Sequence, residues 1–228
     1  MKKTISAILC AAMVFATSSC GSLSNLANGT LIGTGAGAAV GAGVGAAISK
    51  DGKGAAIGAA IGTALGAGVG AIIGKKMDQK AEQLAAIEGA QVETITDANN
   101  LQAVKVTFDN GILFDFNSST LKPASKEALA KFASTMADMS DTDLTILGHT
   151  DNVGKREAND KVSLQRADAV AKYLKSLGMS ADRFTVKGVA DDQPVASNDT
   201  AEGRAQNRRV EVYITANEKM IADAESQN

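Results

Sequence analysis

Cysteine, histidine, proline and tryptophan are almost absent from this chain, and each shortage removes a class of protein. The two cysteines, Cys10 and Cys20, both lie near the N-terminus. That excludes an internal disulfide framework and a cysteine-built zinc site farther along. One histidine, His149, cannot assemble a histidine-rich metal site by itself. Tryptophan is missing and aromatics make up 4% of residues, which leaves no platform for stacking nucleobases. A net charge of -2 supplies no basic field to steer nucleic acid. Nucleic acid is therefore not an expected partner, and no metal or cofactor is expected.

The N-terminus carries export signals. Lys2 and Lys3 precede an apolar run from Ile5 to Phe15, and the small residues Thr17, Ser18 and Ser19 lead to Cys20. Charge, length and composition read residues 1–19 as a signal peptide. A cysteine directly after the small residues resembles a bacterial lipoprotein signal, so Cys20 is the expected lipidation site. Residues 20–30 then form a lipidated tether. Acyl chains partition by about 0.8 kcal/mol per buried methylene, so several chains on one cysteine hold firmly.

Glycine is abundant and concentrated. Gly29, Gly33, Gly37, Gly41 and Gly45 recur every fourth residue, and so do Gly54, Gly58, Gly62, Gly66, Gly70 and Gly74. The polar stretch Ser49 to Lys53 separates the two runs. This spacing lays glycine along one helical ridge, where two backbones approach closely. Each glycine costs about 1 kcal/mol in an aqueous helix. In lipid the backbone must satisfy its own hydrogen bonds, so helix is retained. Residues 31–74 therefore read as a glycine-zipper helical hairpin in or on a membrane, each run about long enough to cross the bilayer core; the period-two alternation in GTGAGA and GAGVGA leaves a β reading open beside it. The glycine faces also allow a homo-oligomer. Residues 75–90 follow as a connector helix, with Met77, Ala81 and Leu84 at helical spacing and an end near Gly89.

Residues 91–216 alternate strand and helix signals. Val92–Thr96 and Val104–Phe108 alternate apolar and polar side chains. The dipeptide turn signal at Asp109–Gly111 predicts a hairpin continuing through Ile112, Phe114 and Phe116. Pro123 opens a helix with Leu129, Phe132 and Met136 on one face. Leu144–Leu147 is a short buried strand, Lys161–Leu177 a long helix, and Phe184–Gly188 a strand. Thr200 caps a short helix to Asn207, and Val210–Ile214 closes the sheet. The order predicts a mixed sheet with helices on one face. Residues 217–228 remain as a C-terminal tail.

Two charged residues stand out. Asp151 lies in the connection after Leu144–Gly148. Arg166 lies at the border of the apolar stripe formed by Leu164, Ala167, Val170, Ala171, Leu174 and Leu177. Sheet ends that feed helix starts are common ligand positions. An amino-acid head group carries both charges, so Asp151 can take its ammonium and Arg166 its carboxylate as a bidentate pair. The spacing alone leaves open a purely structural bridge between the two.

The stretches FDFNSSTLKP, LTILGHTDNVG, VSLQRADAV and EGRAQNRRVEV occur in that order. Together they resemble the peptidoglycan-binding C-terminal domain of the outer membrane protein A family, which the peptidoglycan-associated lipoproteins share. The likeness runs from about Val104 to Thr215. It implies an α+β fold of βαβαβ type, an OmpA-like sandwich. It implies that Asp151 and Arg166 hold the meso-diaminopimelate of the peptidoglycan stem peptide. Asn117, Asn159 in the loop before the long helix, and Arg208 line the same pocket, with Thr150 and the backbone of Asn152–Gly154 adding contacts. Lys155 and Arg156 depart from the Glu or Asn common at that loop. The implied protein is non-catalytic, since Ser163 has no readable histidine base and no carboxylate pair suits a glycosidase. It is an outer-membrane lipoprotein with its C-terminal domain in the periplasm, tethering membrane to wall. A pore or oligomeric membrane element built from the glycine hairpin, with the C-terminal domain as its anchor, is the second expectation.

Overall fold

A five-stranded mixed sheet organises the C-terminal half. The computed structural model of the chain describes residues 67–114 and 118–227. The signal peptide, Cys20, the tether, the glycine hairpin up to residue 66, and Asn117 lie outside the described residues.

β1 (Ala90–Thr96) and β2 (Gln102–Asp109) pair antiparallel. Their turn is built by Asp97, whose Oδ1 accepts from the Asn99 and Leu101 N–H groups at 2.8 and 2.9 Å. Asn100 takes φ 60, a conformation asparagine tolerates better than most residues. β5 (Arg209–Ala216) inserts between β2 and β3 (Thr142–Gly148), antiparallel to both. β4 (Phe184–Gly188) pairs parallel to β3. A parallel pair needs a crossover, which α4 (Arg156–Ser176) supplies.

Alternation then decides what the helices bury. Val104, Val106 and Phe108 of β2, Val210, Val212 and Ile214 of β5, and Leu144 and Ile146 of β3 share one core. Leu129 and Phe132 of α3 (Pro123–Thr135) and Val170 and Leu174 of α4 meet them there. Phe108 and Phe132 pack edge-on, with ring centroids 6.3 Å apart. The expected mixed sheet with helices on one face is found.

Several expectations need correction. Asp109–Gly111 does not turn a hairpin; Asn110–Leu113 forms a short helix, α2, and Phe114 makes an isolated bridge to Leu121. β2 already has β1 on one side and β5 on the other, so no edge remains for a further strand. Leu113 and Phe114 are buried in the core instead. The long helix begins at Arg156, not Lys161, which places Asn159 in its first turn rather than in a loop. Leu164 and Leu177 are exposed, while Ser163 and Arg166 are buried. The buried stripe is rotated toward Arg166.

The N-terminal boundary also moves. α1 (Ala67–Ala85) runs unbroken across the expected division between Gly74 and Lys75. It is no free spacer: Val69, Ile73, Met77 and Leu84 are in the domain core. A side chain buried there cannot face lipid at the same time. Lys80 is 4% exposed, and its ammonium donates to the Thr135 carbonyl at 2.8 Å and to Asp138 Oδ1 at 2.7 Å. Among the described residues no helix is long and apolar enough to cross a membrane. The expected tail contains α6 (Glu218–Ser226), capped by Asn217, with Met220 and Ala224 buried and α1 as its neighbour.

Candidate functional site

The site forms where β3 ends and α4 crosses above it. A Cβ on Gly148 would lie 2.0 Å from the Ser163 carbonyl oxygen, and one on Gly188 2.4 Å from the Leu164 nitrogen. Both positions must be glycine for α4 to lie so low on β3 and β4. Ser163 completes the contact: its Oγ donates to the Asp160 carbonyl at 2.9 Å and accepts from the Ala190 N–H at 3.2 Å. Arg166 follows one turn later, carried to the same end of the sheet as Asp151.

Arg166 is 5% exposed. Its Nε donates to the Ser118 carbonyl at 3.1 Å, and its guanidinium lies over the Phe114 ring, 5.6 Å from the centroid. Burial pushes its pKa down, the nearby Arg208 charge adds to this, and Asp151 opposes it. A group so placed gains from any anion that joins it.

Asp151 is also buried, 8% exposed. Its Oδ1 accepts from the Val153 N–H at 3.1 Å and its Oδ2 from Arg208 Nη1 at 2.6 Å. Asn159 Nδ2 donates to the Asp151 carbonyl at 3.2 Å, which fixes the loop against the start of α4. Arg208 lies at the C-terminal end of α5 (Ala201–Asn207), its side chain half-exposed. Thr150 is buried, and its Oγ1 has no hydrogen-bond partner among the described residues. The structure therefore brings together Asp151, Arg166, Asn159 and Arg208, with Thr150 next to Asp151 in the chain. Asp151 pairs with Arg208; the interaction of Asp151 with Arg166 is through space.

Sequence reasoning missed two supports of this site. Arg156 clasps the neighbouring loop: Nη2 meets Asp192 Oδ2 at 2.7 Å, Nε meets Asp160 Oδ1 at 3.1 Å, and Asp191 lies 3.5 Å from Nη1. Its donors are thereby occupied. The spacing of Arg156 and Asp160 was a readable signal for half of this clasp. The second support lies on the sheet face away from the helices. Arg209 Nε donates to Glu211 Oε1 at 2.8 Å, and the Tyr213 hydroxyl donates to Glu211 Oε2 at 2.6 Å. Burial pushes the Glu211 carboxyl up, but His149, Arg209 and Tyr213 outweigh it and hold it well below the usual carboxylate range. His149 Nε2 lies 3.3 Å from Glu211 Oε2 without the alignment of a directed hydrogen bond. Alternating polar residues on a strand ordinarily mean a solvated face, so no sequence signal marked this group as buried.

Comparison with known proteins agrees with this fold. Residues 113–208 match the OmpA family model, and residues 1–78 match the YMGG-like Gly-zipper model. The chain is 42% identical over 106 residues to the probable lipoprotein YiaD of Escherichia coli K12, covering 46% of this chain and 48% of that protein. It is 38% identical over 112 residues to the peptidoglycan-binding protein ArfA of Mycobacterium tuberculosis H37Rv, covering 49% and 34%. It thus spans about half the length of one curated relative and about a third of the other. Among solved structures, the cell wall anchor of the T6SS from Pseudomonas aeruginosa superposes with a TM-score of 0.52 at 29% identity, covering 61% of this chain and 96% of that one. With the strand order and the glycine contacts in place, residues 113–208 carry the match to the OmpA family and residues 1–78 the match to the YMGG-like Gly-zipper.

Proposed function

We propose that this domain binds peptidoglycan without catalysing a reaction, gripping the amino-acid end of the meso-diaminopimelate side chain in the stem peptide. The observation that carries this reading is Arg166. It is a buried guanidinium that donates only through Nε to a carbonyl, and its Nη groups have no hydrogen-bond partner among the described residues. A buried cation with free, fork-shaped donors is matched by a carboxylate. Asp151 supplies the complementary charge for the ligand ammonium, sharing it with Arg208 or displacing Arg208 onto the ligand carboxylate. Asn159 holds the loop, and Thr150 precedes Asp151 with a buried hydroxyl that has no hydrogen-bond partner among the described residues. Asn117 completes the pocket in this reading.

Relatives support the same partner: ArfA is named as peptidoglycan-binding, and the T6SS protein as a cell wall anchor. YiaD is described as a probable lipoprotein. We extend the reading to the rest of the chain. Lipidated Cys20 and the glycine-rich segment hold the outer membrane, the domain stands in the periplasm, and the protein tethers membrane to wall.

Cosedimentation with purified sacculi tests the site. Wild-type protein is expected to pellet, while Asp151→Ala and Arg166→Ala stay in the supernatant with an unchanged circular dichroism spectrum. Removing one member of a desolvated charge constellation costs about 2 kcal/mol or more, so the loss is easy to see. Pelleting of both variants at the wild-type level would remove the pocket assignment.

A further inference from the structure

Arg209, Glu211 and Tyr213 alternate along β5 and share the sheet face away from the helices, yet they are 4%, 3% and 8% exposed. A buried ion pair seldom adds net stability, because desolvating both charges offsets their attraction. Something other than stability is a better account of this one. Arg209 has a second set of contacts. Its Nη1 donates to the Asn207 carbonyl at 3.3 Å and its Nη2 to the Gln193 carbonyl at 3.1 Å. Asn207 is fully buried and pins the same loop, accepting from the Val195 and Ala196 N–H groups at 2.8 and 3.0 Å and donating to the Ala196 carbonyl at 2.9 Å. Arg208 stands between these two clamped residues, and its guanidinium meets Asp151.

We propose that the Arg209–Glu211–Tyr213 strut aims Arg208 at Asp151, which makes Arg209 a positioning residue of the amino-acid receptor rather than one of its contacts. The inference rests on the reading of Asp151, Arg166 and Arg208 as that receptor. Glu211, itself held by the Tyr213 hydroxyl, holds the Arg209 guanidinium from one side. Its remaining donors fix the carbonyl before Arg208 and the loop beside it. The backbone on both sides of Arg208 is then immobile, and the side chain enters the site from a defined origin. Lysine at position 209 would keep the charge opposite Glu211, but a point ammonium cannot span both carbonyls as the planar fork does.

The test is meso-diaminopimelate affinity, measured by NMR titration of the full chain in detergent micelles. Arg209→Lys is expected to weaken binding about tenfold, since small misplacements of a charged group have large effects. It should also shift the Arg208 Nε–H resonance while leaving the circular dichroism spectrum unchanged. Tyr213→Phe should act in the same direction and more weakly. Combined with Arg208→Ala, neither substitution should weaken binding further, because nothing is left to aim. Folded Arg209→Lys binding as wild type would overturn the proposal. So would a loss of equal size with and without Arg208. Should Arg209→Lys fail to fold, Tyr213→Phe in both backgrounds decides the same question. If Asp151→Ala binds meso-diaminopimelate as wild type does, the receptor reading itself fails. If Asp151→Ala loses binding while the strut variants keep it, only the strut proposal falls.

Discussion

Arg208 Nη1 lies 2.6 Å from Asp151 Oδ2, so the carboxylate expected to meet a ligand ammonium already meets a guanidinium. With Arg166 beside them, the site holds two cations and one anion. Burial and then Arg208 push the Arg166 pKa down, and Asp151 only partly opposes them. A ligand carboxylate would supply a second negative charge, which is the reason for proposing an amino-acid end group rather than a simple amine.

Free carboxylate on the ligand should therefore matter. Meso-diaminopimelate is expected to compete with sacculi for the protein, and its diamide to compete about tenfold less well or worse, because neither end of the diamide offers a carboxylate to the two neighbouring guanidinium groups. Competition in the cosedimentation assay measures this, and equal potency of acid and amide would contradict it.

Gly148 controls how close the two halves of the site come. Gly148→Ala would set a Cβ 2.0 Å from the Ser163 carbonyl, an approach that backbone cannot relieve without lifting α4. Overpacking of this kind costs about 1–3 kcal/mol and would also carry Arg166 away from Asp151. Urea unfolding should show the stability loss, and affinity for meso-diaminopimelate should fall in the fraction that folds.

α1 should behave as part of the domain. Ile73→Ala or Met77→Ala, each at a fully buried position, is expected to cost about 2–5 kcal/mol in urea unfolding. A chain starting at residue 90 should be far less stable than one starting at residue 67. Equal unfolding midpoints for the two would show that α1 is dispensable.

His149 predicts a pH dependence. It is buried against Glu211 and Arg209 of β5 and near Lys105 of β2. Burial lowers its pKa below 6.5; Glu211 opposes this, and Arg209 and Lys105 add to it. The unfolded chain thus takes up a proton near pH 6.5 that the folded chain takes up only at lower pH. Stability from this group is complete above that pH and is lost as pH falls below it. Glu211 acts in the same direction lower down, since its carboxyl is held below 4.5 in the folded state. Unfolding midpoints from about pH 7.5 to about pH 5.5 should fall for wild type and fall less for His149→Gln. Parallel curves would refute the assignment.

Much of the fold was legible in short range. Period-two alternation marked β1 and β2, Pro123 marked the start of α3, and Thr200 was read as the cap it is, accepting from the Gly203 N–H at 3.0 Å. The turn at Asp109–Gly111 misled because a local hairpin signal says nothing about whether a strand still has a free edge. The stripe on α4 misled because periodicity weighs Leu164 above Ser163, whereas close approach to Gly148 and Gly188 selects the small side chain.

The amino-acid sequence by itself determined which residues were available: a carboxylate after a strand, an arginine one helix later, a second arginine before the last strand, and the glycines that permit contact. Those are choices of side-chain chemistry and of local backbone freedom, and both are written at single positions. Only the tertiary structure decided that Asp151 pairs with Arg208 rather than Arg166 and that Arg209 and Glu211 are buried. It also decided that the end of the glycine-rich run, from Val69, belongs to the domain core. Those outcomes depend on which surfaces compete for the same partner across dozens of residues, and no local pattern encodes the result of that competition.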